Sequence, residues 1–421
     1  MNEHFTNMRD LISAFAISMN LINPAMQHHH EQTAYLAYHI GREMGLRGED
    51  LNNTVYAALL HDIGSVVSPE PQGLEEIEAH RHEVAAVGAH MLRDLEGFST
   101  VAEIIGINQN SYLDNLRILG EKHCCSTCMD ISQAIHLADA VTSLFVYNVP
   151  VLNQVRRICD TVEQGRGTEF SPRALEAFSR CAGREYLWLD VALNPSFLLI
   201  FTGSIRSLSL DETVKLTRLM SRIIDYRSAF TAMHSAGVAA SARALAELAG
   251  MSGEECKMIT IAGYLHDVGK LRVPNSILDK PGRLTDEEFN VIKEHPYYTR
   301  WILMDIEGFS QIADWAGFHH EKLNGRGYPF HLDAQRLDLG ARIMAVADIF
   351  SAITEVRPYR AGMNREEAMR VMRGNVENGT LDGALVELLD AHYEQIDGQR
   401  ERESREAGSR YFKSLEMRAE R

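Results

Sequence analysis

The heptapeptide Ala58-Leu-Leu-His-Asp-Ile-Gly64 returns about 205 residues later as Gly263-Tyr-Leu-His-Asp-Val-Gly269, and no other feature limits the fold as much. The same shift lays His90 on His295. Slightly further on, Asp94-Leu-Glu-Gly-Phe-Ser99 matches Asp305-Ile-Glu-Gly-Phe-Ser310, and Leu137-Ala-Asp139 matches Val346-Ala-Asp348. Matches that keep their order over such a span mean one domain written twice. The chain has 421 residues, too many for one ordinary core, and at about 150 residues per domain two domains fit.

Each copy is written mainly in helical periodicity, as in Ala239-Ala-Ser-Ala-Arg-Ala-Leu-Ala-Glu-Leu-Ala249, with few alternating β-branched runs. Gly250 reads as a helix stop, and Thr285-Asp-Glu-Glu288 reads as a capping box ahead of Phe289, Ile292 and His295. The expected fold is therefore all-α. The expected division is a first repeat at 11–187, a helical connector at 188–225, a second repeat at 226–398, and a charged tail at 399–421 that forms a solvated helix or frayed end.

Hydrophobic residues make up 45% of the chain and charged residues 24%, a globular composition with ample apolar material for two cores. The formal charge of -16 has the wrong sign for gripping duplex nucleic acid by its backbone. A small phosphate-bearing substrate remains allowed, because bound divalent metals can invert the field inside a pocket. The most apolar run, Tyr186 to Gly203, is interrupted by Asp190, Asn194 and Pro195, and Met1 opens no basic, apolar leader. The expected location is cytoplasmic, with no membrane partner. Six cysteines fit reduced thiols better than a disulfide framework.

The second repeat concentrates His234, His266, Asp267, His295, His319, His320 and Asp348, far more imidazole than a core needs. Neutral imidazole and carboxylate suit iron, manganese or zinc, and a carboxylate between two ions can bridge them. Two such metals about 3.5–4 Å apart would clamp a phosphoryl oxygen and lower the pKa of a water, which points to phosphodiester hydrolysis. One geometric demand follows. Adjacent residues diverge by about 100° on an ideal helix, so His266 and Asp267 can share a cluster only near a helix end or around a wide site.

The run His266-Asp267-Val-Gly-Lys270, followed by His319-His-Glu-Lys-Leu-Asn-Gly-Arg-Gly-Tyr-Pro329 and by Ala347-Asp348 with Arg357-Pro-Tyr-Arg360, resembles the HD-GYP subgroup of the HD phosphohydrolase superfamily. The resemblance implies two tandem helical HD-type domains joined by a helical connector. It also implies that the seven residues above are metal ligands, with Asp267 and Lys270 in the catalytic machinery. By the same resemblance Lys270 contacts the scissile phosphate, and Arg357 and Arg360 hold the substrate. Gly325, Gly327, Tyr328 and Pro329 would form a sharp loop beside it, with Tyr328 offering a face to a base. Relatives with a three-metal site carry a glutamate four residues before the first histidine. Here that place is Phe230, so two divalent ions, iron or manganese, are expected.

The first repeat retains His29, His61, Asp62, His90 and Asp139 in the same alignment, but Asn108 and Gln109 stand in place of His319 and His320, and Ser65 in place of Lys270. The Gly-Tyr-Pro element is absent from it. These residues read as a relic site in a domain that regulates, senses or dimerises. The choice of His29 within the run His28-His29-His30 rests on spacing alone. The inserted His123-Cys-Cys-Ser-Thr-Cys128 supplies only part of a zinc site, and buried or redox-reactive thiols are the expectation there.

The combined reading is a cyclic-dinucleotide phosphodiesterase acting on cyclic di-GMP or on 3′,3′-cyclic GMP-AMP, yielding linear dinucleotide or GMP. A sensor or docking module with weak hydrolysis is the alternative. A homodimer through the first repeat is compatible with either.

Overall fold

The computed structural model describes residues 4–22, 28–67, 74–93, 95, 97–121, 125–146, 148–193, 206–225, 233–280, 282–355 and 361–419. In chain order the helices are α1 Met8–Asn20, α2 His29–Glu43, α3 Glu49–Leu60, α4 Leu74–Arg93, α5 Ser99–Ile107, α6 Tyr112–Glu121, α7 Ser126–Ser143, α8 Val155–Glu163, α9 Pro172–Ala182 and α10 Glu185–Leu193. They continue as α11 Leu210–Asp225, α12 His234–Leu248, α13 Gly253–Leu265, α14 Asn275–Leu278, α15 Asp286–Ile292, α16 His295–Met304, α17 Ser310–Gly317, α18 Leu339–Thr354, α19 Arg365–Glu377, α20 Gly383–Ala391 and α21 Tyr393–Ala419. Among the described residues, strand is confined to β1 Thr6–Asn7 and β2 Ser207–Leu208, paired antiparallel. The fold is all-α, and no described helix is long and apolar enough to cross a membrane.

The chain divides into two units, one of residues 15–206 and one of residues 1–14 with 207–421. The sequence reading began the first domain at residue 11. In the structure residues up to 14 cluster with the second unit, where β1 meets β2 and Phe5 packs on Phe309 with ring centroids 6.0 Å apart.

In the first unit α2 packs on α3, α7 and α9, and α4 on α5; Leu36, Leu59, Ile104, Ile135 and Phe178 are buried there. In the second unit α12 packs on α13, α18 and α21, and α16 on α17, around Leu245, Ile261, Phe309, Trp315 and Phe350. Both capping boxes at the starts of α13 and α15 are formed, by Ser252 with Glu255 and by Thr285 with Glu288.

The expected solvated tail is corrected over its first part. Helix α21 continues through residue 399, and Arg400, Ser404 and Ala407 are buried. Ser404 donates to the carbonyl of Met233 at 3.1 Å, and a Cβ on Gly237 would meet Ser404 Oγ at 2.7 Å. The charges of this stretch alternate with small residues that let α21 lie close to the start of α12, the end that carries His234.

Candidate metal centre

Helix α13 ends at Leu265, His266 is its C-cap, and Asp267 opens a short 3-10 turn over Val268–Arg272. The divergence of adjacent side chains on a helix is thereby relaxed, and both residues enter one cluster. The turn lies against α16 so closely that a Cβ on Gly269 would sit 2.0 Å from the carbonyl oxygen of His295. Thr299 fastens the same junction, donating to His266 O at 2.8 Å and accepting from Gly269 N at 3.1 Å. The backbone that bears His266 and Asp267 is thus held against the helix that bears His295.

Three imidazoles use their outer nitrogen in the same way. His266 Nδ1 lies 2.9 Å from Gly263 O, His295 Nδ1 2.7 Å from Ile292 O, and His319 Nδ1 2.6 Å from Ala316 O. Each acceptor is a carbonyl three residues back at a helix end, where the helix has no N–H for it. With the proton on Nδ1, each ring turns a bare Nε2 inward. His295 Nε2 and His319 Nε2 face each other at 3.2 Å.

The carboxylates lie among these nitrogens. Asp267 Oδ2 is 3.3 Å from His266 Nε2, and its Oδ1 is 3.4 Å from His295 Nε2 and 3.9 Å from His319 Nε2. Asp348, on α18, is 3.1 Å from His234 Nε2, 3.9 Å from His266 Nε2 and 3.8 Å from His320 Nδ1. The donor atoms group into three overlapping sets, His234 with His266 and Asp348, His266 with Asp267 and His319, and His295 with His319 and His320. All seven sequence-predicted ligands are therefore brought together. His266 Nε2 and Asp267 Oδ1 are buried with no hydrogen-bond partner, and a buried acceptor left so costs about 1–3 kcal/mol. Nitrogen and oxygen donors converging without protons fit divalent transition metals.

The electrostatics agree. Burial alone would raise Asp267, but His266 and Lys270 hold it well below the usual carboxylate range; His234 and His320 do the same for Asp348 against its burial. Burial and the Lys270 ammonium push His295 far down, and burial and His266 lower His319 to about 4. His320 falls through burial and His319. His234 is the exception. Burial opposes its charge, yet Asp348 and Glu355 raise it to about 10.

Glu355 was not singled out in the sequence. It is buried at the end of α18, 3.5 Å from His234 Nδ1, and supplies this ring with the outer partner that main-chain carbonyls supply to the other three. Its separation of seven residues from Asp348, two turns on the same helix face, was the available signal.

Lys270 Nζ lies 2.5 Å from Asp267 Oδ2, at the mouth of the cluster and partly exposed. Tyr328 stands beside it, 4.9 Å from His320 and 5.9 Å from Phe289 between ring centroids. Its loop is fastened by the buried Glu321, which accepts from Phe330 N at 2.7 Å and Leu332 N at 2.9 Å. Gly325 has a φ of +70°, and a Cβ on Gly327 would meet Glu321 Cα at 2.4 Å, so glycine is required at both positions. Arg357, Arg360 and Phe230 lie outside the described residues.

In the first unit His29, His61, Asp62 and Asp139 also converge, with His29 Nε2 3.1 Å from Asp139 Oδ1 and His61 Nε2 3.2 Å from Asp62 Oδ2. The alignment of His90 with His295 does not hold in space. A Cβ on Gly64 would meet Val84 O at 2.1 Å, where its counterpart Gly269 would meet His295 O, so Val84 occupies the place of His295. The stretch before the contact is six residues shorter in the first repeat, 20 residues from Gly64 to Val84 against 26 from Gly269 to His295, and His90 lies well along α4, in neither ligand group. His30 takes part instead. Asn108 and Gln109 are buried where His319 and His320 stand in the second unit. Cys125 is exposed and Cys128 buried, and neither is in a described ligand group; His123 and Cys124 lie outside the described residues.

A family model described as an HD domain matches residues 218–385, and another with the same description matches residues 26–139. The chain is 26% identical over 401 residues to the 3′3′-cGAMP-specific phosphodiesterase 1 of Vibrio cholerae, covering 92% of each sequence. Over 144 residues it is 42% identical to a cyclic di-GMP phosphodiesterase of Pseudomonas aeruginosa, a match that spans 34% of this chain and 35% of that protein. The crystal structure of a cyclic GMP-AMP specific phosphodiesterase of V. cholerae superposes with a TM-score of 0.63 at 21% identity, over 92% of this chain and 97% of that one. This likeness is one of fold.

Proposed function

Since the chain belongs to the HD-domain superfamily, with two HD domains in tandem and homology to HD-GYP cyclic-dinucleotide phosphodiesterases, we propose that its second unit hydrolyses a phosphodiester bond of a cyclic dinucleotide. The observation that carries the reading is the buried carboxylate of Asp267, turned toward His266 with one oxygen and toward His295 and His319 with the other, with Lys270 against it.

In this reading His234, His266, Asp267, His295, His319, His320 and Asp348 would hold two divalent ions, iron or manganese. Bound there, such ions supply charge to a phosphoryl oxygen and a water acidic enough to attack phosphorus near neutral pH. The helix-end carbonyls turn the imidazoles of His266, His295 and His319 inward, and Glu355 orients that of His234. Lys270 offers a point charge to a non-bridging phosphate oxygen and a proton to the departing 3′ oxygen as the P–O bond breaks. Tyr328 provides a ring on which a base stacks, and Arg357 with Arg360 hold the rest of the substrate by their planar forks.

Cyclic di-GMP and 3′,3′-cyclic GMP-AMP are the substrates to compare; the end-to-end match to a relative named for the mixed dinucleotide supports that one first. Purified protein reconstituted anaerobically with iron(II) or manganese(II) is expected to cleave at least one of them, and the Asp267→Ala protein neither. Tight binding without cleavage under every metal would replace this reading with that of a cyclic-dinucleotide sensor.

A further inference from the structure

The helix that carries Asp139 begins on a thiol. Cys125 is the N-cap of the 18-residue α7, in extended backbone with φ −65° and ψ 129°, and Cys128 is the third residue inside the helix. In the second unit α18, which carries Asp348, starts instead on Asp338, whose carboxylate accepts from Ala341 N at 2.9 Å. Serine, threonine, asparagine and aspartate are the side chains that cap helices well, so starting a helix does not explain a cysteine at this place. The hydrolysis proposed for the second unit makes no use of it either.

The two cysteines differ in exposure and are matched in spacing. Cys125 is exposed and Cys128 is buried. Cα atoms three residues apart on an α-helix lie about 5 Å from each other, inside the roughly 4.4–6.8 Å that a disulfide spans. The main chain therefore needs no rearrangement to join them. The start of a long helix favours a thiolate through its unpaired N–H groups and its dipole, and no acidic residue stands in the first turn of α7. The Cys128 main-chain N–H first, then the Cys128 thiol and Thr127, hold the Cys125 thiol below its ordinary value against its burial. Glu103 on α5 accepts from the Cys125 main-chain N–H at 3.5 Å, and its charge opposes the thiolate. Elsewhere in the chain burial works the other way, pushing Cys181 up to about 11 and raising Cys159 and Cys256.

We propose that Cys125 and Cys128 form a dithiol–disulfide couple that exchanges with a small external disulfide, the exposed Cys125 attacking and the buried Cys128 resolving. The Cys125 thiolate attacks one sulfur of the external disulfide, whose S–S bond breaks and releases one external thiolate. Cys128 then gives up its proton, attacks Cys125 Sγ in the mixed disulfide and displaces the second external thiolate. In sum the two cysteines lose two electrons and two protons, and the external disulfide takes them up as two thiols. Excess external thiol reverses both steps. An exposed, activated thiol beside a resolving partner is the arrangement of a reversible redox site, because the partner captures the mixed disulfide before deeper oxidation. The couple belongs to the first unit alone and does not depend on what the second unit hydrolyses.

The test equilibrates the full chain anaerobically in glutathione buffers of graded ratio, quenches it in acid, labels it with N-ethylmaleimide in urea and maps the peptides by tandem mass spectrometry. Cys124, the neighbour in sequence, is replaced by serine. In this Cys124→Ser protein the peptide bearing Cys125 and Cys128 is expected to pass, as glutathione disulfide rises, from doubly labelled to unlabelled and two hydrogens lighter, in one two-electron step. With Cys128→Ser added, Cys125 is expected to accumulate glutathione; with Cys125→Ser added, Cys128 is expected to remain labelled at every ratio. Full labelling of both cysteines throughout, or glutathione on Cys128 alone, overturns the proposal. Native iodoacetamide is expected to modify Cys125 at least about tenfold faster than Cys159, and equal rates remove Cys125 from its role as the attacking thiol. If a variant loses its helical circular dichroism, the wild-type chain decides by where its bond forms. Linkage of Cys125 to Cys128 is expected there, and a bond from Cys124 to either of them is fatal to the assignment.

Discussion

The two units solve the same placement problem with the same parts and then diverge at one helix end. In each, a helix stops at a histidine whose Nδ1 is given to the carbonyl three residues back, at 2.7 Å for His61 and 2.9 Å for His266. In each, a glycine after the aspartate lets the next turn touch the following long helix. The divergence comes after α5 and α17. The second unit places His319 and His320 there and then folds a loop back under Glu321, while the first places Asn108 and Gln109 and proceeds into α6. The shared scaffold therefore accounts for the convergence of histidine and aspartate side chains in both units, and the imidazole pair, lysine and loop are what the second unit adds.

The largest expected effect separates the two aspartates. Asp267→Ala should lower turnover of the cyclic dinucleotide on the order of 10³-fold or more, because it removes the carboxylate that faces His266, His295 and His319. Asp62→Ala should leave turnover within a factor of a few. Comparable losses in the two variants, each with its helical signal intact, would mean that the first unit takes part in the chemistry. Lys270→Ala comes next, with a fall in kcat of about 10²-fold from the lost acid and charge and an unchanged metal content. The converse, Ser65→Lys in a protein carrying Asp267→Ala, should restore nothing, since a lysine without the imidazole pair has no phosphate to meet.

A smaller effect belongs to the loop. Base stacking on an aromatic ring contributes about 1–3 kcal/mol, so Tyr328→Ala should raise KM about tenfold with kcat little changed, and Tyr328→Phe should restore it. A fall in kcat alone would instead make Tyr328 a support for His320, whose ring it touches.

Much of this comparison was readable in the chain. The duplication and the helical class follow from residue types at fixed spacing, and the seven expected ligands of the second unit with the missing pair of the first follow from the motifs that resemble the HD-GYP subgroup. Three things did not. His90 matched His295 by spacing, yet the first repeat is six residues shorter before α4, which shifts the register, and only the carbonyl facing Gly64 shows that Val84 holds that place. His30 was hidden because adjacent histidines usually point apart on a helix, and α2 begins so near the cluster that both reach it. The stretch after residue 398 looked solvated by its charges, but one face of α21, with Arg400, Ser404 and Ala407, is buried. Each failure arose where a contact distant in sequence decided a local question.

The smallest expected effect is a difference in acid sensitivity. His39 on α2 is buried and faces Tyr35 at 4.5 Å, whereas the equivalent position on α12 is Ala244. Burial first, then the Arg42 and Arg184 guanidiniums against the Asp190 and Glu43 carboxylates, lower the His39 imidazole to about 4. The folded state then holds fewer protons here than the unfolded state, whose histidine titrates near 6.5. Its stabilising contribution is complete above about pH 6.5 and is lost as pH falls through about 4, so stability should rise with pH across that window. Urea midpoints of the full chain, read from pH 4 to 7 by a probe placed on α2, should climb more steeply in the wild type than in His39→Gln. The same probe on α12 should respond equally in both proteins. Equal slopes at α2 would mean that His39 takes up its proton without unfolding, through the water-facing edge near Tyr186.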